Sequence, residues 1–106
     1  MNQMDVLEVL IKAIRDPRIV SLKINGGIRV VQPFSVGALS SRERVVIAVK
    51  SRGTLKRPTD DDWLMIPLSH IELAAPSPFP GDKPPFGYAP LRAKLVVVVE
   101  AASIDL

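Results

Sequence analysis

The sequence contains no cysteine, a single histidine and only 5% aromatic residues. Without cysteine the chain can form neither a disulfide framework nor a thiolate metal site. Its apolar runs are too short for a membrane-spanning helix, and residues 1–5 lack the basic segment with which a signal peptide begins. These absences predict a cytoplasmic protein with no membrane association.

A length of 106 residues predicts a single domain that spans residues 1–106. The composition, 47% hydrophobic and 24% charged, is that of a globular protein rather than a disordered one. Proline is the exception, because ten prolines are about twice the usual share. Six of the ten lie between residues 76 and 90, which sets that segment apart from the rest.

The net charge of +3 is unevenly distributed along the chain. Residues 41–58 hold six basic groups and one acidic group, whereas residues 59–82 hold five acidic groups and neither lysine nor arginine. A basic patch on a small domain can attract phosphates or nucleic acid. The alternative is a pair of solvated loops whose charges compensate each other, and the sequence leaves both interpretations open.

The first half of the chain predicts one helix followed by a hairpin. Apolar residues at helical spacing predict a helix over residues 5–16, with a capping-box start and a stop at Asp16-Pro17. Residues 18–24 alternate as a half-buried strand, and Asn25-Gly26-Gly27 is a strong turn signal. A second strand follows over residues 28–36, in which Pro33 predicts an edge, a bend or a bulge.

The next segments predict further short strands. A β-branched run over residues 44–50 is a candidate central strand, and a long polar loop covers residues 51–62. Residues 63–68 form another strand, a corner follows at Ser69-His70, and residues 71–73 continue extended. Short strands with tight turns are typical of a small β-barrel, so we place a barrel core at residues 18–74.

The last third of the chain is rich first in proline and then in valine. Residues 75–90 predict a Pro-rich arm that lacks regular structure and wraps the domain in extended form. Residues 91–106 predict a C-terminal strand around the run from Lys94 to Glu100, whose valines are typical of a strand buried on both faces. Because an exposed run of this kind favours aggregation, we expect it to join the sheet or to pair with another subunit.

Three segments of the chain resemble the WYL-domain family, in its short stand-alone bacterial and phage versions. Residues 29–34 read Arg-Val-Val-Gln-Pro-Phe, similar to an Arg-Val-Val-Glu-Pro-like segment of that family. The stretch from Trp63 to Ile71 aligns with a later family segment that begins with tryptophan and ends with isoleucine. Phe86-Gly87-Tyr88 is similar to a segment that follows in the short versions.

The resemblance implies an Sm-like (SH3-type) small β-barrel preceded by a helix, so the expected fold class is mainly β with one N-terminal helix. It also implies ligand sensing or nucleic-acid binding, commonly in bacterial transcription regulation and phage defence. Two departures weaken the transfer of function. The Trp-Tyr-Leu tripeptide would fall near residues 45–47 and is absent, and arginines of the family's ligand patch would fall near Pro67 and His70.

The residues that carry chemistry do not predict an enzyme. His70 has no second histidine or cysteine with which to share a metal, and the sequence has neither a phosphate-cradling glycine loop nor a nucleophile elbow. The three aspartates at residues 60–62 could bind a hard cation, but consecutive carboxylates rarely converge on one ion. We expect no catalytic residue, no metal site and no cofactor.

The basic residues are the better candidates for a binding site, because the planar guanidinium of arginine suits phosphate. We expect neighbouring strands to gather them into one cationic groove, with Trp63 as a stacking platform for a base. Each has an ordinary alternative: the basic residues could be solvated charges at the rim of the barrel, and Trp63 could pack in the core. The predicted binding residues are Arg29, Arg42, Arg44, Lys50, Arg52, Trp63 and His70.

Two functions from different classes follow. In the first, the chain is a WYL-like binding module for nucleic acid or a nucleotide-like ligand. In the second, it is a structural or interaction protein that forms a homo-oligomer through its helix, its Pro-rich arm and its valine-rich strand. The two are compatible, since an assembly can also bind a ligand.

Overall fold

A computed structural model of the chain describes residues 3–50, 63–81 and 88–101. Within them the order is α1 (Gln3–Arg15), β1 (Arg18–Ile24), β2 (Gly27–Ala38), β3 (Arg44–Lys50), β4 (Trp63–Pro67), a 3-10 turn (Leu68–His70), β5 (Ile71–Pro80), α2 (Tyr88–Arg92) and β6 (Val97–Ala101). The mainly β class with an N-terminal helix is therefore confirmed. No helix among these residues is both long enough and apolar enough to span a membrane.

The strands form one antiparallel sheet in the order β4-β3-β2-β1-β5, and β6 pairs with β2 outside that path. The predicted barrel is wrong for the part of the chain that the structure describes, because β4 and β5 stand at opposite ends of the order and do not pair. Sequence shows that strands are short and closely spaced. Whether the last strand returns to the first depends on twist and bend, which local patterns do not encode.

The hairpin between β1 and β2 forms as its turn residues predict. Asn25 and Gly26 have φ values of 51° and 79°, and Ile24 lies opposite Gly27. The left-handed conformation at both positions matches the twist of the flanking strands. The carboxylate of Glu72 accepts a hydrogen bond of 3.3 Å from the Gly26 amide, which ties the hairpin tip to β5.

β2 is the strand that connects the whole sheet. Residues 27–31 pair with β1, residues 31–38 pair with β3, and residues 35–38 also pair with β6. The register with β3 shifts between Pro33 and Ser35, so Phe34 is an extra residue. Of the three features that Pro33 predicted, an edge, a bend or a bulge, the pairing with β3 shows the bulge. The bulge moves Val36 to the face that carries Val31, which a strict alternation along β2 would not give.

Two apolar clusters lie on opposite faces of the sheet. The first joins α1 to residues of β1, β2 and β5 and includes Leu10, Leu22 and Val31, all fully buried. The second contains Phe34, Ile47 and Leu95, with Leu91 of α2 packed against it. Residues 45–49 of β3 are buried between the two clusters, as expected of a central strand.

The predicted Pro-rich arm at residues 75–90 is in part regular structure. β5 continues through Pro76, Pro78 and Pro80, and α2 follows at Tyr88–Arg92. β5 tolerates these prolines because it is the last strand of the sheet, where one edge has no partner strand among the described residues that needs an N–H donor. The extended conformation is confirmed for residues 75–80, where it is a regular strand, and is wrong for residues 88–90, which belong to α2. Residues 82–87 lie outside the described residues.

The valine run joins the sheet, but it is not buried. β6 covers residues 97–101 of the strand predicted for 91–106, and its Val97 and Val98 pair with Ala38 and Gly37 of β2. Val96 to Val99 are nevertheless 44–65% exposed. The run of consecutive valines is typical of a central strand, but within the described residues β6 has a partner strand on one edge only.

Candidate functional site

The end of the sheet near the hairpin holds a groove of about 650 Å³. It lies where β2 extends past the described end of β3, since β3 pairs only with residues 31–38 of β2. Arg29 and Lys50, two of the predicted binding residues, both line it. The complete lining is Ile24, Asn25, Gly27, Ile28, Arg29, Val30, Val31, Lys50 and Leu64.

Arg29 and Lys50 lie on the same face of the sheet. Lys50 is directly opposite Val31, and Arg29 is two residues before Val31 on the same strand. Residues that oppose each other across strands share a face, as do residues two apart along a strand. The two cations are therefore diagonal neighbours, with Cβ atoms roughly 7–8 Å apart, close enough to contact a single anionic group.

Both cations are free of carboxylate partners among the described residues. The ion pairs found there join Arg15 to Glu100 at 2.8 Å and Arg18 to Asp16 at 3.0 Å. Arg29 and Lys50 are exposed and take part in neither. Their positive charges are therefore available to an anion from solution.

The groove also has an apolar component that sequence reasoning did not assign to a site. Ile28 is 66% exposed and Val30 is 44% exposed, on either side of Arg29. Leu64 of β4 adds a partly buried side chain. Because successive residues of a strand point to opposite faces, Ile28 and Val30 lie on the face opposite Arg29 and Lys50. Leu64 is paired with Ala48 and therefore lies on the same face as the two cations.

The other predicted cations lie elsewhere. Arg44 is at the opposite end of the seven-residue β3 from Lys50, about 20 Å away at the rise of a strand. Arg42 is in the turn before it, with a φ of 73° and an amide that donates to the Leu39 carbonyl at 2.8 Å. The sequence predicted one cationic groove, but of the described cations only Arg29 and Lys50 line it, and Arg42 and Arg44 do not. Arg52 lies outside the described residues.

Trp63 is on the face opposite Lys50, because it pairs with Val49 rather than with a groove residue. Its ring centroid is 5.6 Å from that of Phe34, and the planes are tilted by 54°. Trp63 also packs against the second apolar cluster. This arrangement favours the core-packing interpretation over a stacking platform beside Arg29.

His70 is exposed at the end of the 3-10 turn between β4 and β5. Its neighbour Ile71 pairs with Ile24, which lines the groove. His70 therefore lies at the same end of the sheet as the groove without lining it. Within the described residues, no three metal-ligating side chains come together, and the aspartates at 60–62 lie outside those residues.

A second groove of about 510 Å³ lies beside α1. Val9, Ala13 and Pro76 contribute apolar surface there, and Arg15 and Arg18 stand at its rim. Both arginines already pair with carboxylates, Arg15 with Glu100 and Arg18 with Asp16. Lys12 also lines this groove and is in neither ion pair, but the hairpin groove brings two such cations together and is therefore the better anion site.

Comparison with known proteins finds no family model, no curated protein and no solved structure that matches this chain.

Proposed function

We propose that the chain is a binding module for nucleic acid or a nucleotide-like ligand and that the hairpin groove is its site. The observation that carries this proposal is the pairing of two exposed cations, Arg29 and Lys50, on one face of one groove. Neither is neutralised by a carboxylate among the described residues.

The composition of the groove favours a ligand that is both anionic and partly apolar. Arg29 can donate two parallel hydrogen bonds to a phosphate, and Lys50 adds a compact positive charge. Leu64, a partly buried residue on the same face as the two cations, offers apolar surface against which the flat face of a base can pack. A simple inorganic anion would use the cations and leave this apolar surface in water.

The resemblance to the WYL-domain family supports the same class of function. Arg29 begins the segment that carries the resemblance, and a helix followed by an antiparallel sheet is the coarser part of the expected architecture. On this basis we propose a regulatory or phage-defence role. Two features differ from the family: the sheet is open among the described residues, and positions 67 and 70 are proline and histidine rather than arginine.

The proposal predicts salt-sensitive binding that depends on the two groove cations. Neutralised phosphates release counterions, so the affinity for a single-stranded oligonucleotide falls as salt rises. Replacing both cations, as Arg29→Gln/Lys50→Gln, should weaken binding and reduce the slope of log affinity against log salt by roughly 0.7 for each phosphate that the pair neutralises. Fluorescence anisotropy between 50 and 200 mM salt, a range in which such slopes are resolved, measures both quantities.

The matched control is Arg42→Gln/Arg44→Gln. It removes the same two charges from the net charge of +3 but takes them from the far end of β3. We expect this variant to retain most of the affinity. Affinity that does not change with salt would refute the electrostatic basis of the proposal, and equal losses in the two variants would refute the groove as the site.

The second candidate is assembly into an oligomer. Of the three surfaces expected to mediate it, the apolar face of α1 is largely covered by the chain's own sheet, since Val6, Leu10 and Ile14 are at most 4% exposed. The valine-rich strand is different, because its four valines remain accessible. This observation favours β6 as the surface through which the chain would assemble.

A further inference from the structure

The floor of the hairpin groove is apolar and is continuous with the core. Val31 belongs to the buried cluster under α1, Ile24 and Leu64 pack against that cluster, and all three line the groove. They lie on the face that carries Arg29 and Lys50, because Ile24 is opposite residue 27 and Leu64 is opposite residue 48. The groove volume of about 650 Å³ is that of a small-molecule site.

The described residues do not extend this floor into a platform for several bases. Proteins that hold a nucleic-acid strand stack successive bases on successive aromatic side chains. The described lining of the groove has no aromatic side chain. Phe34 and Trp63 contact each other, with ring centroids 5.6 Å apart, in the cluster on the opposite face. The floor is therefore suited to one base.

The positive charge of the groove is concentrated at one point. Arg44 shares the face of Lys50 but is about 20 Å away along β3. Lys23 lies on the opposite face, because residue 22 is the one that pairs with Arg29, and Arg18 is already bound to a carboxylate. A groove that follows a polynucleotide backbone has cations along its length, and the described residues supply none beyond Arg29 and Lys50.

We propose that the hairpin groove binds a single nucleotide by a terminal phosphate, which belongs either to the end of a nucleic-acid strand or to a free nucleoside monophosphate. The phosphate contacts Arg29 and Lys50, and the base lies on the apolar floor. This inference rests on the proposed function and narrows it to one chemical group.

The charge of the two cations matches a terminal phosphate better than an internal one. A phosphate monoester carries about −1.5 to −2 charges at pH 7 and three acceptor oxygens, whereas each phosphate within a strand carries one negative charge. Arg29 can bind two oxygens with its planar fork, and Lys50 can bind the third. An internal phosphate would leave one of the two positive charges without a counterpart.

The lining presents no negative charge to such a ligand. None of the described residues that line the groove has a carboxylate. Glu72 lies near the hairpin tip, but its Oε2 accepts a hydrogen bond of 3.3 Å from the Gly26 amide, and it does not line the groove. A dianion can therefore approach the two cations without repulsion from the described walls.

Competition binding with one single-stranded oligonucleotide in three forms tests this inference. The forms carry a phosphate at the 5′ end, at the 3′ end or at neither, and each displaces the same labelled oligonucleotide at fixed salt. We expect one phosphorylated form to bind at least about tenfold more tightly than the unphosphorylated form, the usual gain from hydrogen bonds to a charged group. Arg29→Gln/Lys50→Gln should abolish this preference, and the control Arg42→Gln/Arg44→Gln should retain it.

Small ligands in the same assay identify the source of the phosphate. We expect a nucleoside monophosphate to bind at least about tenfold more tightly than its parent nucleoside, which lacks the phosphate, and than inorganic phosphate, which lacks the base. A monophosphate that competes as well as the phosphorylated strand assigns the site to free nucleotides. A strand that binds more tightly than the monophosphate assigns the site to strand ends.

Equal affinity for all three oligonucleotide forms would overturn this inference. If that common affinity still falls with rising salt and in Arg29→Gln/Lys50→Gln, the proposed function stands and only the recognition of a terminal phosphate fails. A preference that survives in Arg29→Gln/Lys50→Gln would place the phosphate outside the groove and also overturn the inference. If neither the oligonucleotides nor the monophosphate bind, the proposed function fails as well.

Discussion

Replacing Leu10 with alanine is expected to lower the free energy of unfolding by about 2–5 kcal/mol. Leu10 is fully buried in the cluster that joins α1 to the sheet, with Val6, Ala13 and Ile14 around it. The substitution removes apolar surface and leaves a cavity, and both effects are destabilising. Alanine is the best helix former, so the loss cannot be assigned to helix propensity. Urea denaturation followed by circular dichroism measures the change.

Glu8→Ala is the matched control on the same helix. Glu8 is exposed, and surface substitutions of this kind usually change stability by no more than about 0.5 kcal/mol. We expect the effect of Leu10→Ala to be independent of protein concentration, because Leu10 packs against the chain's own sheet. A loss that disappears at high protein concentration would instead identify the apolar face of α1 as an intersubunit surface.

Replacing Gly37 with alanine is expected to separate β6 from β2. A Cβ atom at this position would overlap the carbonyl oxygen of Val97 and come within 3.2 Å of Cδ1 of Leu95. The contact with a backbone oxygen cannot be relieved by rotating a side chain, so β6 must move. We expect destabilisation of about 1–3 kcal/mol, the usual cost of overpacking, together with loss of protection at the Val96 amide. That amide donates a 2.8 Å hydrogen bond to the Ala38 carbonyl, and hydrogen exchange reports it directly.

Gly27→Ala is the control within the same strand. A Cβ atom there would meet only the Ile24 carbonyl oxygen at 3.6 Å, an ordinary contact. Alanine also restricts the unfolded chain, which typically stabilises by about 0.4–1 kcal/mol where the backbone allows it. If Gly37→Ala were tolerated as well as Gly27→Ala, the pairing of β6 with β2 would be contradicted.

Local signals in the sequence predict the first half of the fold well. Asn25-Gly26 prefers the left-handed conformation that the hairpin requires, and the β-branched run of β3 suits a strand buried on both faces. Pro33 marks the bulge because it cannot donate to the β2–β3 ladder. In each case the conformation is determined by the residues of the element itself.

The features that sequence reasoning missed depend on which strand becomes an edge. The prolines lie in β5 and the valines in β6, and each of these strands has one partner strand only within the described residues. The amino-acid composition of a strand does not show how many partner strands it has. Away from a bulge such as the one beside Pro33, proline excludes a strand from the centre of a sheet but not from its edge. Valine favours burial, but burial requires a neighbour that the chain supplies on one edge of β6.

The candidate site was predictable in its residue types but not in its extent. Arg29 and Lys50 come together because β2 and β3 pair at Val31, a register that the hairpin sequence does not specify. Arg44 is separated from them because it is at the other end of β3, where it pairs with Ala38 rather than with Val31. The clustering of charge in residues 41–58 therefore overstates their proximity.

The most direct test of the groove as the binding site is a chemical-shift titration of the labelled chain with a single-stranded oligonucleotide. The groove predicts that the largest amide shift changes occur at Gly27–Val31, Lys50 and Leu64, and that they are lost in Arg29→Gln/Lys50→Gln. Changes centred on the turn at Arg42, or no change at concentrations well above those at which basic domains bind nucleic acid non-specifically, roughly 10⁻⁴–10⁻⁶ M, would contradict it.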